Sequence, residues 1–277
     1  MSKNFKEKYD NKIEKIERKR DAKIAKIMAK KAVKQAKSGD MELSEQKELD
    51  VITNVSVVKE KKESKIPIPK YTLGEEIVNA ISHGIGAIFG IVALVVCIVG
   101  AARGGGAIEV LSAVIFGVSL VIMYTMSTIY HSLKPCKGKR VLRVFDHCCI
   151  FLLIAGSYTP FTLVSLRGKT GWALFALVWG ISILGIVLNA VNVEKFKVFS
   201  MIAYIALGWL IIFKFKDLYN AVPFGCIKLL LAGGITYTVG AIIYGIGSKV
   251  KYMHSIWHFF VVGGSVLHFL SILIYVY

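Results

Sequence analysis

His254-Ser-Ile-Trp-His258-Phe-Phe-Val-Val-Gly263-Gly264-Ser265-Val-Leu-His268-Phe-Leu-Ser-Ile-Leu-Ile-Tyr-Val-Tyr277 ends the chain without one Asp, Glu, Lys or Arg. As a helix, such a run crosses the ~30 Å of hydrocarbon in a bilayer. Working backward, apolar runs of similar length follow one another from about residue 77, with short polar breaks between them. The 277 residues are 55% hydrophobic and have a mean hydropathy of +0.59, more apolar sequence than a soluble protein of this size can use. A β-barrel would show short alternating segments instead, and none is present. The pattern therefore predicts an all-α integral membrane protein, a seven-transmembrane helix bundle in the cell membrane. The predicted spans are Ile77–Gly100, Ala107–His131, Asp146–Leu166, Trp172–Val191, Val198–Phe213, Cys226–Gly247 and His254–Tyr277. The short fifth span is expected to rely on Lys197 and Lys214 snorkelling to the interfaces.

Orientation follows from loop charge. Breaks after spans two, four and six carry Lys134, Lys137, Lys139, Arg140, Arg143, Lys195, Lys197, Lys249 and Lys251. The opposite side carries Arg103, Arg167, Lys169, Lys214, Lys216 and Lys228, so nine basic residues face six. The basic N-terminal tail joins the larger group. The expectation is a cytoplasmic N-terminus and, with seven spans, an external C-terminus. The net charge of +17 then needs no nucleic-acid partner: residues 1–70 supply +8 and the membrane part +9. No cleavable signal peptide is expected, since the first apolar run starts so late. The cysteines at 97, 136, 148, 149 and 226 show no paired spacing and suggest no disulfide framework.

Two domains are expected: a basic tail and linker over 1–70, and the membrane domain over 71–277. The tail holds an 11-residue repeat, Asp10–Arg20 and Asp21–Lys31, in which Asp, Lys, Ile, Lys and Ile recur in register. Eleven residues are close to three helical turns, so Ile13, Ile16, Ile24 and Ile27 share one narrow stripe between basic flanks. A helix lying on the anionic inner leaflet is the favoured reading. A solvated tail and a weak coiled coil are the alternatives. Pro67 and Pro69 stiffen the entry to span one.

Alternating span direction gathers the polar chemistry in one layer. The start of span one, the end of span two and the starts of spans three and seven share the cytoplasmic face. These ends carry Glu76, Asn79 and His83; Ser127 and His131; Asp146; and His254 and His258. Chance would distribute such groups between both faces. Imidazoles are costly in hydrocarbon, so three near one face need a common reason. His254 and His258, at i and i+4, lie on one helix face. With His131 they make a three-imidazole set that leaves a fourth tetrahedral position open, the pattern of a catalytic zinc site. Asp146 is placed to accept a proton from water there, and Ser127, one turn before His131, to orient that water or steady an oxyanion. The bland alternative, three separate interface histidines bonded to carbonyls, accounts for any one of them but poorly for all three.

Glu76, Asn79 and His83 share one helix stripe. They read equally as hydrogen-bonding partners behind the ligands or as a packing network. His147 points about 100° from Asp146, so only one of the two is expected to face the metal. His268, about 15 Å beyond His258, is too far for the same ion and is expected to bond across the bundle near Ser265. Gly233-Gly234 and Gly263-Gly264 suit close helix contact. Pro160 is expected to kink span three and free carbonyls for Ser157 or Thr159. Trp172, Trp209, Tyr219 and Tyr277 fit interfacial belts.

Glu76-x-x-Asn79-x-x-x-His83, Ser127-x-x-x-His131, Asp146 and His254-x-x-x-His258 together resemble the haemolysin III family. That family is grouped with the progestin and adipoQ receptors and, more distantly, with alkaline ceramidases. The resemblance covers residues 71–277, including Gly156-Ser-Tyr-Thr-Pro160 and Gly263-Gly264-Ser265-x-x-His268, and leaves out the tail. It implies a seven-helix bundle with an inner-facing zinc held by His131, His254 and His258, and with Asp146 reaching it through water. For the better-understood relatives it implies hydrolysis of a lipid amide. For bacterial members it implies a haemolytic, pore-forming attribution, with membrane homeostasis as the rival view.

Three functions follow as expectations. One is a zinc-dependent hydrolase of a lipid amide or ester at the inner leaflet, with membrane lipids as its partners. Another is a pore-forming cytolysin, although no span carries the regular polar stripe of a wide channel. The third is a receptor-like regulator in which zinc is structural.

Overall fold

The computed structural model describes residues 67–246 and 250–277. The expected surface helix through Ile13, Ile16, Ile24 and Ile27 lies outside the described residues, as do Gly247 and Lys249. Among the described residues the chain is helical, with no strands. The helices are α1 (Leu73–Gly104), α2 (Ala107–Ser132), α3 (Lys137–Pro160), α4 (Gly168–Asn192), α5 (Lys197–Gly208), α6 (Phe215–Ala221), α7 (Phe224–Ile246) and α8 (Met253–Tyr275). A π-helical turn, Phe161–Ser165, extends α3, and a 3-10 turn, Leu210–Lys214, joins α5 to α6. Seven of the resulting segments are long and apolar enough to cross a membrane; α3 with its π turn is the third, and α5 through α6 the fifth. Their outer faces expose Ile88, Val92, Val95, Ile183 and Val187. Water would penalise such a girdle, whereas lipid accommodates it.

Several ends differ from the sequence expectation for local reasons. α1 begins at Leu73 because Thr72 caps it: the Thr72 hydroxyl accepts from the Glu75 amide, and the Glu75 carboxylate accepts from the Thr72 amide at 2.8 Å. α3 begins at Lys137, so Asp146 sits in its third turn and not at the head of the span. The basic residues of that early part are not a solvated loop, since Lys139 is 1% and Arg143 4% exposed. Span five is longer than expected, Lys197–Ala221, and interrupted. Tyr158 of α3 bridges the interruption: its hydroxyl is 2.8 Å from the Leu207 carbonyl and 3.1 Å from that of Gly208, and it accepts from the Ile211 amide at 3.1 Å. Trp209, expected in an interfacial belt, instead donates to Thr238 Oγ1 at 2.9 Å within the bundle.

Pro160 does not break span three. The chain continues through it into the π turn, a single-turn insertion of the kind found inside long α-helices. Of the two side chains expected to serve the carbonyls before Pro160, Thr159 is the one that does. Thr159 donates to the Ala155 carbonyl at 2.8 Å, and Thr162 reaches those of Tyr158 and Thr159, while Ser157 takes no part.

Sequence neighbours pack side by side from α1 to α4, α7 packs on α8, and α8 returns to α1. This closure matters most for function, because it brings the start of the last span against the start of the first and the end of the second. Gly117 permits the tight α1–α2 approach, since a Cβ there would lie 2.5 Å from the Leu94 Cα.

Candidate metal centre

α2 delivers His131 in its last turn, and α8 delivers His254 and His258 on its first two turns. All three are buried, and one nitrogen from each lies within 4.8 Å of the others. The three histidines are thus positioned to hold a metal ion.

Their hydrogen bonds set which nitrogen faces inward. Nδ1 of His131 lies 2.7 Å from a Glu76 carboxylate oxygen. A carboxylate only accepts, so Nδ1 carries the proton and Nε2 a lone pair. That Nε2 is buried and has no protein partner. Nδ1 of His258 lies 3.2 Å from the Asn79 carbonyl, again an acceptor, and 3.2 Å from Ser82 Oγ. Its Nε2 therefore also presents a lone pair, 3.2 Å from Nε2 of His254. Two nitrogens on one tetrahedral zinc at 2.0–2.1 Å would be ~3.3 Å apart. The His254–His258 edge already has that length.

More buried polar atoms without protein partners surround the cluster: Asn79 Oδ1, Ser127 Oγ, Ser255 Oγ and both nitrogens of His83. Buried polar groups are rarely left unpaired, so such a concentration marks a site built around something besides protein.

Of the residues expected behind the three histidines, Glu76 and Asn79 lie in contact with them. Glu76 binds His131 with one carboxylate oxygen and, at 2.6 Å, the Lys139 ammonium with the other. Asn79 accepts from His258 Nδ1 with its backbone carbonyl, and its side-chain amide nitrogen packs 3.3 Å from His131 Nδ1, whose proton is already given to Glu76. His83 makes no hydrogen bond to the cluster. It stacks on the His258 ring with centroids 3.6 Å apart and planes 13° from parallel, a packing role. Ser127 is fully buried, one turn before His131.

Asp146 is buried and lines a cavity of about 160 Å³ that runs down the bundle. His254, Trp257, Val261 and His268 of α8 line the same cavity, so it extends ~21 Å along that helix. Its surface is mainly apolar, with Ile150, Leu153, Ile227 and Leu230 between the polar ends. His147 lines it too, so Asp146 and His147 share one cavity despite their angular separation. His268 bonds the Leu230 carbonyl at 3.2 Å; Ser265 pairs instead with the hydroxyls of Tyr124 and Tyr237.

The "Haemolysin-III related" family profile matches residues 71–269. The chain belongs to the haemolysin III family. It is 46% identical over 202 residues to "Hemolysin-3" of Bacillus cereus, covering 73% of this chain and 92% of that one. It is 44% identical over 205 residues to "Hemolysin-3 homolog" of Bacillus subtilis (strain 168), covering 74% and 96%. A more distant relative is the human "Monocyte to macrophage differentiation factor", 25% identical over 176 residues, covering 61% and 72%. No solved structure matches significantly. This haemolysin III protein is accordingly a multi-pass membrane protein, and its histidine cluster lies within the family match.

Four residues at the site escape a reading of the sequence. Lys139 and Arg143 look like loop charges, yet Lys139 neutralises Glu76, and Arg143 pairs with Glu194 and donates to the Pro67 carbonyl. The signal was their i, i+4, i+7 spacing with Asp146, which puts all three on one stripe of α3. Tyr71 covers the cluster, its ring stacked on His254 at 5.0 Å and 21°. Burial, with Tyr130, Tyr244 and the Asp146 carboxylate nearby, holds its phenol well above the ordinary tyrosine range, so it stays neutral. Glu75 ties the two helix starts together: its second carboxylate oxygen accepts from the Tyr252 amide at 2.8 Å. Tyr252 is held there in a left-handed conformation, φ 63°, just before α8. Nothing in the sequence announces either contact.

Proposed function

We propose that this protein is a zinc-dependent hydrolase of a lipid amide or ester, acting at the inner leaflet in membrane homeostasis. One observation carries the reading: a buried carboxylate, Asp146, and a member of the histidine cluster, His254, border the same apolar cavity, which is long enough for an acyl chain. Three neutral imidazoles suit zinc and leave room for a further ligand. A zinc ion bound there supplies Lewis acidity toward a carbonyl and an adjacent water.

The chain's own residues account for the remaining chemistry. The apolar wall holds the acyl chain and excludes bulk water from the carbonyl end. Asp146 takes a proton from the attacking water as its oxygen bonds to the carbonyl carbon. It returns that proton to the leaving nitrogen or oxygen as the bond to carbon breaks. Ser127, buried and without a protein acceptor, donates to the carbonyl oxygen as negative charge builds there. Glu76 and Asn79 fix the tautomers of His131 and His258 throughout.

The name "Hemolysin-3" of the Bacillus cereus relative raises a pore as the competing reading. The mainly apolar cavity wall favours an acyl chain over an aqueous path. The test uses purified Asp146→Asn and His258→Ala proteins, with bound zinc and hydrolysis of a ceramide-like substrate measured in each. Asp146→Asn should keep most of its zinc and lose turnover by about 10²–10⁴-fold; His258→Ala should lose both. Equal zinc in both variants and wild type would remove the ligand assignment. Full turnover in Asp146→Asn would remove the base.

A further inference from the structure

We infer that Lys197 is an anion-binding residue at the histidine end of the cavity, and that the lipid taken there carries a negative charge close to its carbonyl. The inference rests on the lipid reading of the cavity and adds the chemical class of the ligand.

Lys197 is the first residue of α5 and was expected to snorkel to the interface. Its ammonium instead lies 5.8 Å from the Tyr244 ring centroid, and the side chain lines the same cavity as Asp146 and His254. Among the described residues no carboxylate lies within ion-pair distance of it. Glu194, three residues earlier, is taken by Arg143. Lys197 is the one Lys or Arg among the described residues lining the cavity; Lys139 and Arg143, near it on α3, are paired with Glu76 and with Glu194 and the Pro67 carbonyl. Lys197 is thus a half-buried cation of the cavity wall, set against an aromatic face. A partly buried charge calls for a counter-charge.

The polar groups of α5 next to Lys197 are already paired. Ser200 donates to Asn189 at 2.7 Å, and Tyr204 donates to the His147 carbonyl at 2.7 Å. Tyr244 stands between the ammonium and the cluster, its ring 5.6 Å from that of His254. The two centroid distances bound the gap from ammonium to His254 at about 11 Å, within the span of a lipid head group. An anion on Lys197 would leave the neighbouring carbonyl facing the histidines and the chain running toward His268. Asp146 opposes any anion in the same chamber, so the charge must sit on the α5 side. N-acyl amino acids and acylated glycerophosphates have this layout; a neutral ceramide lacks the charge and should be taken up more weakly.

The test compares N-dodecanoylglycine with uncharged N-dodecanoylglycinamide, binding being read from the fluorescence of Trp209 and Trp257, both on the cavity wall. The full chain in non-ionic detergent is used, with and without zinc. The carboxylate should bind about tenfold or more tighter to the wild type, a charged hydrogen bond's worth. Lys197→Met should erase that preference and leave the amide's affinity unchanged, while Lys197→Arg should retain it. N-acetylglycine, which has the charge but no chain, should bind at least a hundredfold more weakly. Equal affinity for the short and long acids would mean a site for free anions and overturn the lipid assignment. A preference that survives Lys197→Met, or one that vanishes on metal removal, would place the anion elsewhere and overturn the role of Lys197. Absence of hydrolysis in every protein would overturn the enzymatic reading alone, because the binding comparison needs no turnover.

Discussion

Glu76→Gln separates two roles of one carboxylate. Glu76 joins His131 Nδ1 at 2.7 Å to a Lys139 ammonium whose side chain is 1% exposed. Neutralising it strands a buried cation, which typically costs ~3–5 kcal/mol. The Glu76 side chain is 17% exposed, so water offsets part of that cost and the lower figure, about 3 kcal/mol, applies. The substitution also replaces the charged acceptor that fixes the His131 tautomer with a weaker, neutral amide oxygen, and such outer partners are worth ~10–100-fold in metal affinity. The two losses separate in the double variant Glu76→Gln/Lys139→Met, in which no cation is stranded. Thermal unfolding in detergent should show a large drop for the single variant and recovery of most of it in the double. Competition with a chelator should show the same 10–100-fold weaker metal binding in both. Wild-type metal affinity in Glu76→Gln would refute the tautomer argument, and a double variant as unstable as the single would refute the ion-pair argument.

Two further outcomes follow from the geometry. A Cβ at Gly233 would lie 2.3 Å from His268 Cδ2, so Gly233→Ala should destabilise by ~1–3 kcal/mol, and adding His268→Ala should restore most of the loss; thermal melts of the two variants decide it. An ion shared by α2 and α8 stabilises the fold by mass action, ~4 kcal/mol at a thousand times its dissociation constant, so stripping the metal should lower the melting temperature of the wild type but not of His258→Ala.

How much of this was legible in the sequence depends on the range of the interaction involved. Seven spans could be read because a bilayer imposes one length and one polarity on each. The three histidines could be read as a set because span alternation sends His131, His254 and His258 to a common end, and helical spacing aligns the last two. Span ends were less legible where polar side chains find internal partners. Lys137–Phe145 reads as a basic loop until Glu76 of α1 and Glu194, in the turn after α4, accept its charges. Glu75 and Tyr71 act across α1 and α8, residues almost two hundred positions apart for the Glu75–Tyr252 bond, and no local pattern encodes such a pairing. Trp209 misled for a similar reason: an aromatic near a lysine suits an interface until Thr238 supplies an acceptor inside.

The phenol of Tyr158 has a mechanical consequence. An interrupted helix in hydrocarbon ordinarily carries open backbone groups, each costing several kcal/mol. Here one hydroxyl of a neighbouring helix serves Leu207, Gly208 and Ile211 together. The fifth span is therefore two short rods whose joint is held from outside, and it cannot tilt without carrying along the helix that bears Asp146. Any widening of the chamber for a bulkier chain would move that carboxylate as well, coupling the fit of the tail to the alignment of the head.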